Sequence, residues 1–365
     1  MKPPAPGVVL AHPLGNQFVR HLAETLAARG QLAGVCTCID WRPGALARLL
    51  PRGVQAELRR RSYPELPRGR ITTHPLRESL RLAAGRAGLT ALTRHETGAL
   101  SVDAVFADFD RWVAGRLPGR ADGGLLYAYE DAAATAFAAA ERLGWTRAYD
   151  LPIAYWETGH RLLAEEAARW PQWERTLEAT RNSPAKLARK TRELALADLV
   201  VCPSRFVADS LPAAVRADKR VIVAPFGSPR CEPEFYRREY PDFTYEKPRP
   251  HAAVLALMAT CDVFCLPSIV EGRALVIQEA MSAGLPAIVT AHTGADDAIE
   301  PGRSGFVVPI RSPGAIAEKI AWFADRRAAL PDFARAAQAA AARFTWHDYG
   351  ERIAAALATA LPLSG

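Results

Sequence analysis

The chain of 365 residues has no apolar run of the ~18–20 residues that a membrane-spanning helix requires. It also has no low-complexity tail and no internal repeat, which argues against disordered, fibrous and solenoid classes. Its opening, MKPPAPGVVLAHPLGN, enters a strand-like stretch without the apolar core of a secretory signal. The expected location is therefore the cytoplasm. Cysteines are few: Cys36, Cys38, Cys202, Cys231, Cys261 and Cys265 lie scattered in apolar segments, with no second pair at zinc-site spacing. They read as buried free thiols, Cys36 and Cys38 sharing one strand face. No Asp-x-Asp cluster stands at a strand end, and Asp296-Asp297 read as acids at a helix start. No metal and no cofactor are expected. Lysine is absent from residues 41–100, which instead hold twelve arginines against Glu57, Glu65, Glu78 and Glu96. That segment alone carries +8 where the whole chain carries +7. Such a surface suits an anionic membrane or a phosphate-bearing acceptor, and it equally suits a plain solvated face. A peripheral position at the inner face of the membrane follows from the first option. Few aromatics interleave with the arginines, so a nucleic-acid partner is not expected.

What is present is an alternation of strand and helix signals. GVVLAHP (7–13), LAGVCTCID (32–40), GLLYAYE (124–130), RAYDLPIAY (147–155), LVVCPS and RVIVAPFG read as strands, with amphipathic helical stretches between them. The first of these helices shows apolar Phe18, Leu22 and Leu26 and stops at Gly30. Between 157 and 198, Ser183-Pro184 supplies an N-cap and a first-turn proline, which predicts two helices rather than one. Helices of this length joining strands imply parallel βαβ units in a doubly wound sheet. Ligands of such sheets bind beyond the carboxyl ends of the strands, where Gly15, Asn16, Glu130 and Pro152 are placed. The pattern breaks at 229–250 and resumes with a helix at 251–260 and strands at 262–268, 286–291 and 305–309. The expected organisation is an α/β chain of two Rossmann-like domains. Residues 1–228 form the larger, 229–250 an irregular connection, 251–345 a domain truncated to about three parallel strands, and 346–365 a C-terminal helix packing back on the first domain.

The chemistry is concentrated in CLPSIVEGRALVIQEAMSAGLPAIVTAHTGADDAIEPGRSGFVVP. A strand ends at Ser268, a loop carries Glu271-Gly272-Arg273, and a helix begins near Ala274. Glu271 and Glu279 are eight residues apart, one in the loop and one about a turn into the helix. Free amides and the dipole at that helix start favour a diphosphate. Ionised carboxylates accept hydrogen bonds from sugar and ribose hydroxyls. Acids on either side of a bare helix start therefore suit a nucleotide sugar.

The stretch resembles the group 1 (family 4) glycosyltransferases, whose signature pairs two glutamates across seven residues. Glu271, Gly272, Leu275, Glu279, Ala280, Met281, Gly284 and Pro286 match it. HPLGNQFVR (12–20), YAYED (127–131), YDLPIAYW (149–156), SPAKLARKTRELALADLVVCPSRFV (183–207) and VIVAPFGSP (221–229) are similar to one subgroup. The resemblance implies the two-domain GT-B fold and, by family, retaining transfer of a hexose from a nucleoside diphosphate sugar to a glycan or lipid-linked acceptor. It implies Glu271 on donor-sugar hydroxyls, Glu279 on the ribose, the amides around Ala274 and Leu275 on the diphosphate, and Gly15 and Asn16 near the phosphates. Glu130 would contact acceptor or transferred sugar, or else cap its turn. Two departures stand out. Arg273-Ala274 occupies a place where the family has Phe-Gly or a similar small loop, and Ala274 adds a Cβ there. Further, a long segment carrying a basic clamp for the diphosphate is replaced by about twenty residues at 229–250. Weak or absent turnover is the expected consequence, unless another chain or a nearby arginine substitutes, since charge on the leaving oxygen would lack its usual cations. A catalytically inactive homologue acting as a binding protein is the alternative reading.

Overall fold

A computed structural model describes residues 7–42, 52–117, 124–177, 181–227, 249–294 and 296–360. Most of the 229–250 connection, together with Cys231, lies outside the described residues. Seven parallel strands form the larger sheet: β1 Val8–Ala11, β2 Leu32–Thr37, β3 Ile71–Thr73, β4 Leu125–Tyr129, β5 Thr146–Asp150, β6 Leu199–Cys202 and β7 Arg220–Val223. Their spatial order is β3-β2-β1-β4-β5-β6-β7. The order reverses between β1 and β4, the switch point where doubly wound sheets take ligands. Strand β3, which the sequence pattern does not announce, is three residues long and half exposed. Its pairing with β2 supplies what its composition does not.

The sheet is covered on both faces, as parallel sheets require. One face packs Val9, Leu126, Tyr149 and Val200 against Phe109 and Phe137, and the other packs Val8, Leu10 and Leu125 against Phe18, Leu22 and Leu26 of the helix Gln17–Ala28. That helix ends as anticipated, with Gly30 just beyond its cap in the left-handed region (φ 69°). Ser183 caps the helix Pro184–Leu196 by accepting from the Lys186 amide, so the 157–198 region does contain two helices, Trp156–Arg169 being the other.

The smaller sheet has β8 Phe264–Leu266, β9 Ala287–Thr290 and β10 Gly305–Val308 in the order β10-β9-β8, all parallel. Among the described residues β8 has a strand partner only in β9. The last helix, Trp346–Ala358, opens with a capping box between Thr345 and Asp348. It lies on the larger lobe: Trp346, Tyr349, Ile353 and Leu357 join the cluster that holds Phe18 and Leu22. Gly350 meets the helix Gln17–Ala28 so closely that a Cβ would fall 2.1 Å from Thr25 Oγ1.

Two expectations need correction. Asp296 and Asp297 sit in a turn rather than at a helix start. Cys261 and Cys265 are exposed, whereas Cys38 and Cys202 are buried and Cys36 is half-buried. Part of the arginine-rich segment is internal bracing, since Arg61 pairs with fully buried Glu78 at 3.0 Å, Arg81 with the same carboxylate at 2.6 Å, and Arg42 reaches Asp40 and two backbone carbonyls, while Arg59, Arg60, Arg68, Arg70, Arg86 and Arg94 are exposed.

Candidate active site between the lobes

The helix Leu275–Ser282 follows the loop after β8 and buries Ile277 and Met281 in the smaller lobe's core. Its other side faces the larger lobe. Leu275 packs against the cluster of Phe18 and Phe226, and Gln278 donates through Nε2 to the Phe226 carbonyl at 2.8 Å. At ~100° per residue, Leu275, Gln278 and Glu279 share one arc of the helix. Glu279 is therefore on the flank next to the interlobe contact. Its carboxylate meets His251 Nε2 at 2.7 Å, an imidazole at the start of the helix His251–Met258.

Glu271 stands in the loop, its amide donating to the His292 carbonyl at 3.1 Å. Its carboxyl is half-buried and no cation is paired with it among the described residues. Burial raises its pKa above the ordinary carboxylate value, with the Gly272 amide acting in the opposite sense. Of the amides at the helix start, that of Ala274 donates to the Thr293 carbonyl. The diphosphate role assigned to it from the sequence is thus already filled by protein. Leu275 and Val276, the first two helical residues, have amides with no intrahelical acceptor.

Gly272 and Arg273 have structural duties. A Cβ on Gly272 would fall 1.8 Å from the Pro152 carbonyl oxygen, so only glycine lets this loop touch the larger lobe, and Ser204 Oγ donates to the Gly272 carbonyl at 2.7 Å. Arg273 is buried. Its Nη1 donates to the Gly294 carbonyl at 2.8 Å and to Asp297 Oδ1 at 2.6 Å, and its guanidinium lies 4.7 Å from the Phe344 ring centroid. Burial lowers its pKa and Asp297 opposes the shift. Arg273 therefore does not face a ligand. The lobes meet again where Arg311 binds Glu165 and Glu166, and where Phe206 stacks on His292 at 4.6 Å.

On the larger lobe, Gly15 has φ 65°, and a Cβ there would meet Tyr63 Oη at 2.9 Å. Asn16 precedes the helix Gln17–Ala28 without capping it by its side chain. The loop is tied by a residue that the sequence did not single out: His12 Nδ1 accepts from the Leu14 amide at 3.2 Å and the Gly15 amide at 3.0 Å. Burial pushes this imidazole down to about 3, so it is neutral and carries its proton on Nε2. The only sequence signal was its place at the end of the first strand. Glu130 is buried with its carboxylate 2.7 Å from Lys190 Nζ. It braces the turn after β4 and is not presented to the cleft. At the end of β5, burial pushes Asp150 up to about 8, with the Tyr127 hydroxyl acting in the opposite sense. No group of three or more His, Cys, Asp or Glu able to hold a metal occurs among the described residues.

Residues 242–341 match the family model described as glycosyl transferases group 1. Over 81 residues the chain is 37% identical to the putative colanic acid biosynthesis glycosyltransferase WcaL of Salmonella typhimurium, covering 20% of each protein. It is 30% identical over 110 residues to the D-inositol 3-phosphate glycosyltransferase of Corynebacterium urealyticum, covering 29% of this chain and 25% of that one. The chain thus spans about a fifth to a quarter of the curated relatives' length. Among solved structures, the sucrose-phosphate synthase of Thermosynechococcus elongatus superimposes with a TM-score of 0.62 at 14% identity, over 98% of this chain and 100% of that one. HepE of Anabaena in complex with UDP does so at 0.52 and 15% identity, over 97% and 100%. At such identities these likenesses establish the fold, which is GT-B.

Proposed function

The chain belongs to the group 1 glycosyltransferases by its motif segment and has their two-lobed build; from that premise we propose that it moves a hexose from a nucleoside diphosphate sugar to a glycan or lipid-linked acceptor. The observation that carries the reading is Glu271, a half-buried carboxylate with no cation paired to it among the described residues, beside the open start of the helix Leu275–Ser282. Glu271 accepts from donor-sugar hydroxyls, Glu279 from the ribose, and the amides of Leu275 and Val276 meet the diphosphate. The solved HepE complex with UDP supports the ligand class. The acceptor oxygen bonds to the anomeric carbon as the bond from that carbon to the diphosphate oxygen breaks. The electron pair leaves with the nucleoside diphosphate, and the acceptor proton passes to a phosphate oxygen, with retention of configuration. Arg273 cannot neutralise the leaving group because Asp297 and Gly294 engage it. Turnover is accordingly expected to be slow. Isothermal titration of the full chain with UDP and GDP tests the reading. Micromolar to submillimolar binding that falls at least tenfold in Glu279→Ala supports it, and no binding at millimolar nucleotide rejects it.

A membrane-facing position is supported by a separate observation. Of the eight large hydrophobics that stand exposed among the described residues, Leu76, Leu80, Leu89, Leu92 and Val102 fall within one 27-residue stretch. Leu76 and Leu80 are one turn apart on the helix Leu76–Arg86, and Arg86 and Arg94 are exposed near them in sequence. Leucines that enter the headgroup region with arginines on lipid phosphates fit an anionic bilayer. Co-sedimentation with phosphatidylglycerol vesicles, lost in Leu76→Asp/Leu80→Asp and absent with phosphatidylcholine alone, is the expected result. Equal sedimentation with both lipids would reject it.

A further inference from the structure

Beside the donor site lies a cavity of about 380 Å³ that the motif does not account for. Its walls come from both lobes. Leu163 belongs to the helix Trp156–Arg169, Trp170 and Leu177 bracket the following short 3-10 turn, and Ile269 and Val270 lie in the loop that leads directly into Glu271. The volume falls in the lower part of the range of small-ligand sites.

The chemistry of the walls limits what can enter. The loop's polar backbone is already engaged: the Ser268 carbonyl accepts from Thr290 Oγ1, and the Ile269 carbonyl pairs with His292 Nδ1 at 2.8 Å. The one ionisable lining residue, Glu166, is neutralised by Arg311. Among the described lining residues there is no cation to hold a phosphate or carboxylate. Trp170 is 56% exposed, a large indole face turned to water. An apolar hollow with a bare aromatic rim gains from any apolar group that displaces its water.

We propose that this cavity is a subsite for the apolar aglycone of the acceptor, an alkyl or aryl group carried by the sugar that receives the hexose. The sugar then lies toward Glu271, one residue beyond Val270, and the aglycone lies between Leu163, Trp170 and Ile269. The inference rests on the reading of Glu271 as the donor-sugar contact, and it selects acceptors with an apolar end over free glycans.

The test is a titration of the full chain with methyl, butyl, hexyl and octyl β-D-glucosides below their micellar concentrations, read by tryptophan emission. The expected result is affinity that rises about three- to fourfold per added methylene until the cavity is full. The rise should flatten in Ile269→Asp and also in Leu163→Gln, a half-buried helix position chosen so that a folded variant is available. Circular dichroism melting establishes that each variant is folded. Affinity independent of chain length, or a chain-length dependence that survives both substitutions, overturns the proposal. Because the readout needs no turnover, the two readings fail separately. Nucleotide binding without chain-length dependence removes the cavity's role, whereas chain-length dependence without nucleotide binding leaves a cavity for apolar glycosides but removes the transferase and with it the acceptor role.

Discussion

Removing the Asp297 carboxylate should destabilise the smaller lobe far more than removing the arginine it serves. The Arg273 side chain has no solvent exposure, while that of Asp297 is 21% exposed. Asp297→Ala leaves a buried cation with the Gly294 carbonyl, the Phe344 ring and the nearby charge of Asp296 as its remaining support. Breaking a buried pair in this way costs ~3–5 kcal/mol. Water can enter where the half-open carboxylate stood, so the lower end, about 3 kcal/mol, is expected. Asp297→Asn keeps an acceptor oxygen and should cost roughly half as much, ~1.5 kcal/mol. Arg273→Met behaves differently. It removes the buried charge, sets an apolar chain beside the Phe344 ring and leaves Asp297 partly open to water, so its cost should be about 1 kcal/mol, that of the lost hydrogen bond to the Gly294 carbonyl. In the Arg273→Met background, Asp297→Ala should cost under ~0.5 kcal/mol, giving a coupling of about 2.5 kcal/mol in the double-mutant cycle. The assay is urea unfolding followed by circular dichroism and tryptophan emission, comparing midpoints at equal slope. The reasoning fails if Asp297→Ala lies within ~0.5 kcal/mol of wild type, or if Arg273→Met is as damaging as Asp297→Ala.

Other outcomes follow from the same geometry. Gly272→Ala drives a Cβ into the Pro152 carbonyl oxygen, so the loop must leave the larger lobe. We expect a loss of ~1–3 kcal/mol in unfolding free energy and an increased radius of gyration by small-angle scattering; an unchanged radius and midpoint would contradict it. His251→Ala frees the Glu279 carboxylate from an exposed partner. Since such pairs contribute ~0.2–1 kcal/mol, UDP affinity should rise about 1.4- to fivefold by calorimetry; a fall would show that His251 contacts the nucleotide itself. Asp150 has its pKa raised from 3.8 to about 8 by burial. Between those values the folded state keeps a proton that the unfolded chain has released, so stability should decline as pH rises, by up to ~1.4 kcal/mol per pH unit. Urea midpoints from pH 5 to 8 should fall in this sense, and Asp150→Asn should reduce the slope, with buried Glu193, likewise raised to about 8, supplying the remainder; an equal slope in the variant would refute the assignment.

The sequence revealed periodicity and a motif, and both carried far. Strands β1, β2 and β4 to β10 announced themselves as apolar runs bounded by turns, and the smaller lobe's three strands were countable in advance. Glu271 and Glu279 were identifiable as a pair because their spacing across a strand, loop and helix is local information. What was hidden depends on neighbours distant in the chain. Nothing near Arg273 shows that Asp297 and Phe344 will enclose it, and nothing near Glu130 shows that Lys190, sixty residues on, will claim its carboxylate. Gly272 is visible in the sequence as a residue of the motif loop, but not the backbone it approaches, which is that of Pro152. His12 carried no signal of its own because its role lies in accepting two amides of the turn that follows it.

The return of the helix Trp346–Ala358 to the first lobe has a consequence for synthesis. Its Trp346, Tyr349 and Ile353 fill one face of the larger sheet, Thr146 Oγ1 donates to the Ala360 carbonyl, and Arg220 reaches Thr359. A ribosome that has released residues 1–227 has therefore released an unfinished core, whose lid is still about 120 codons away. Contacts of such sequence separation close late. During that interval Phe18, Leu22 and Phe226 offer a bare apolar surface to chaperones. A chain interrupted before Trp346 should accumulate as an aggregate instead of as a folded single lobe.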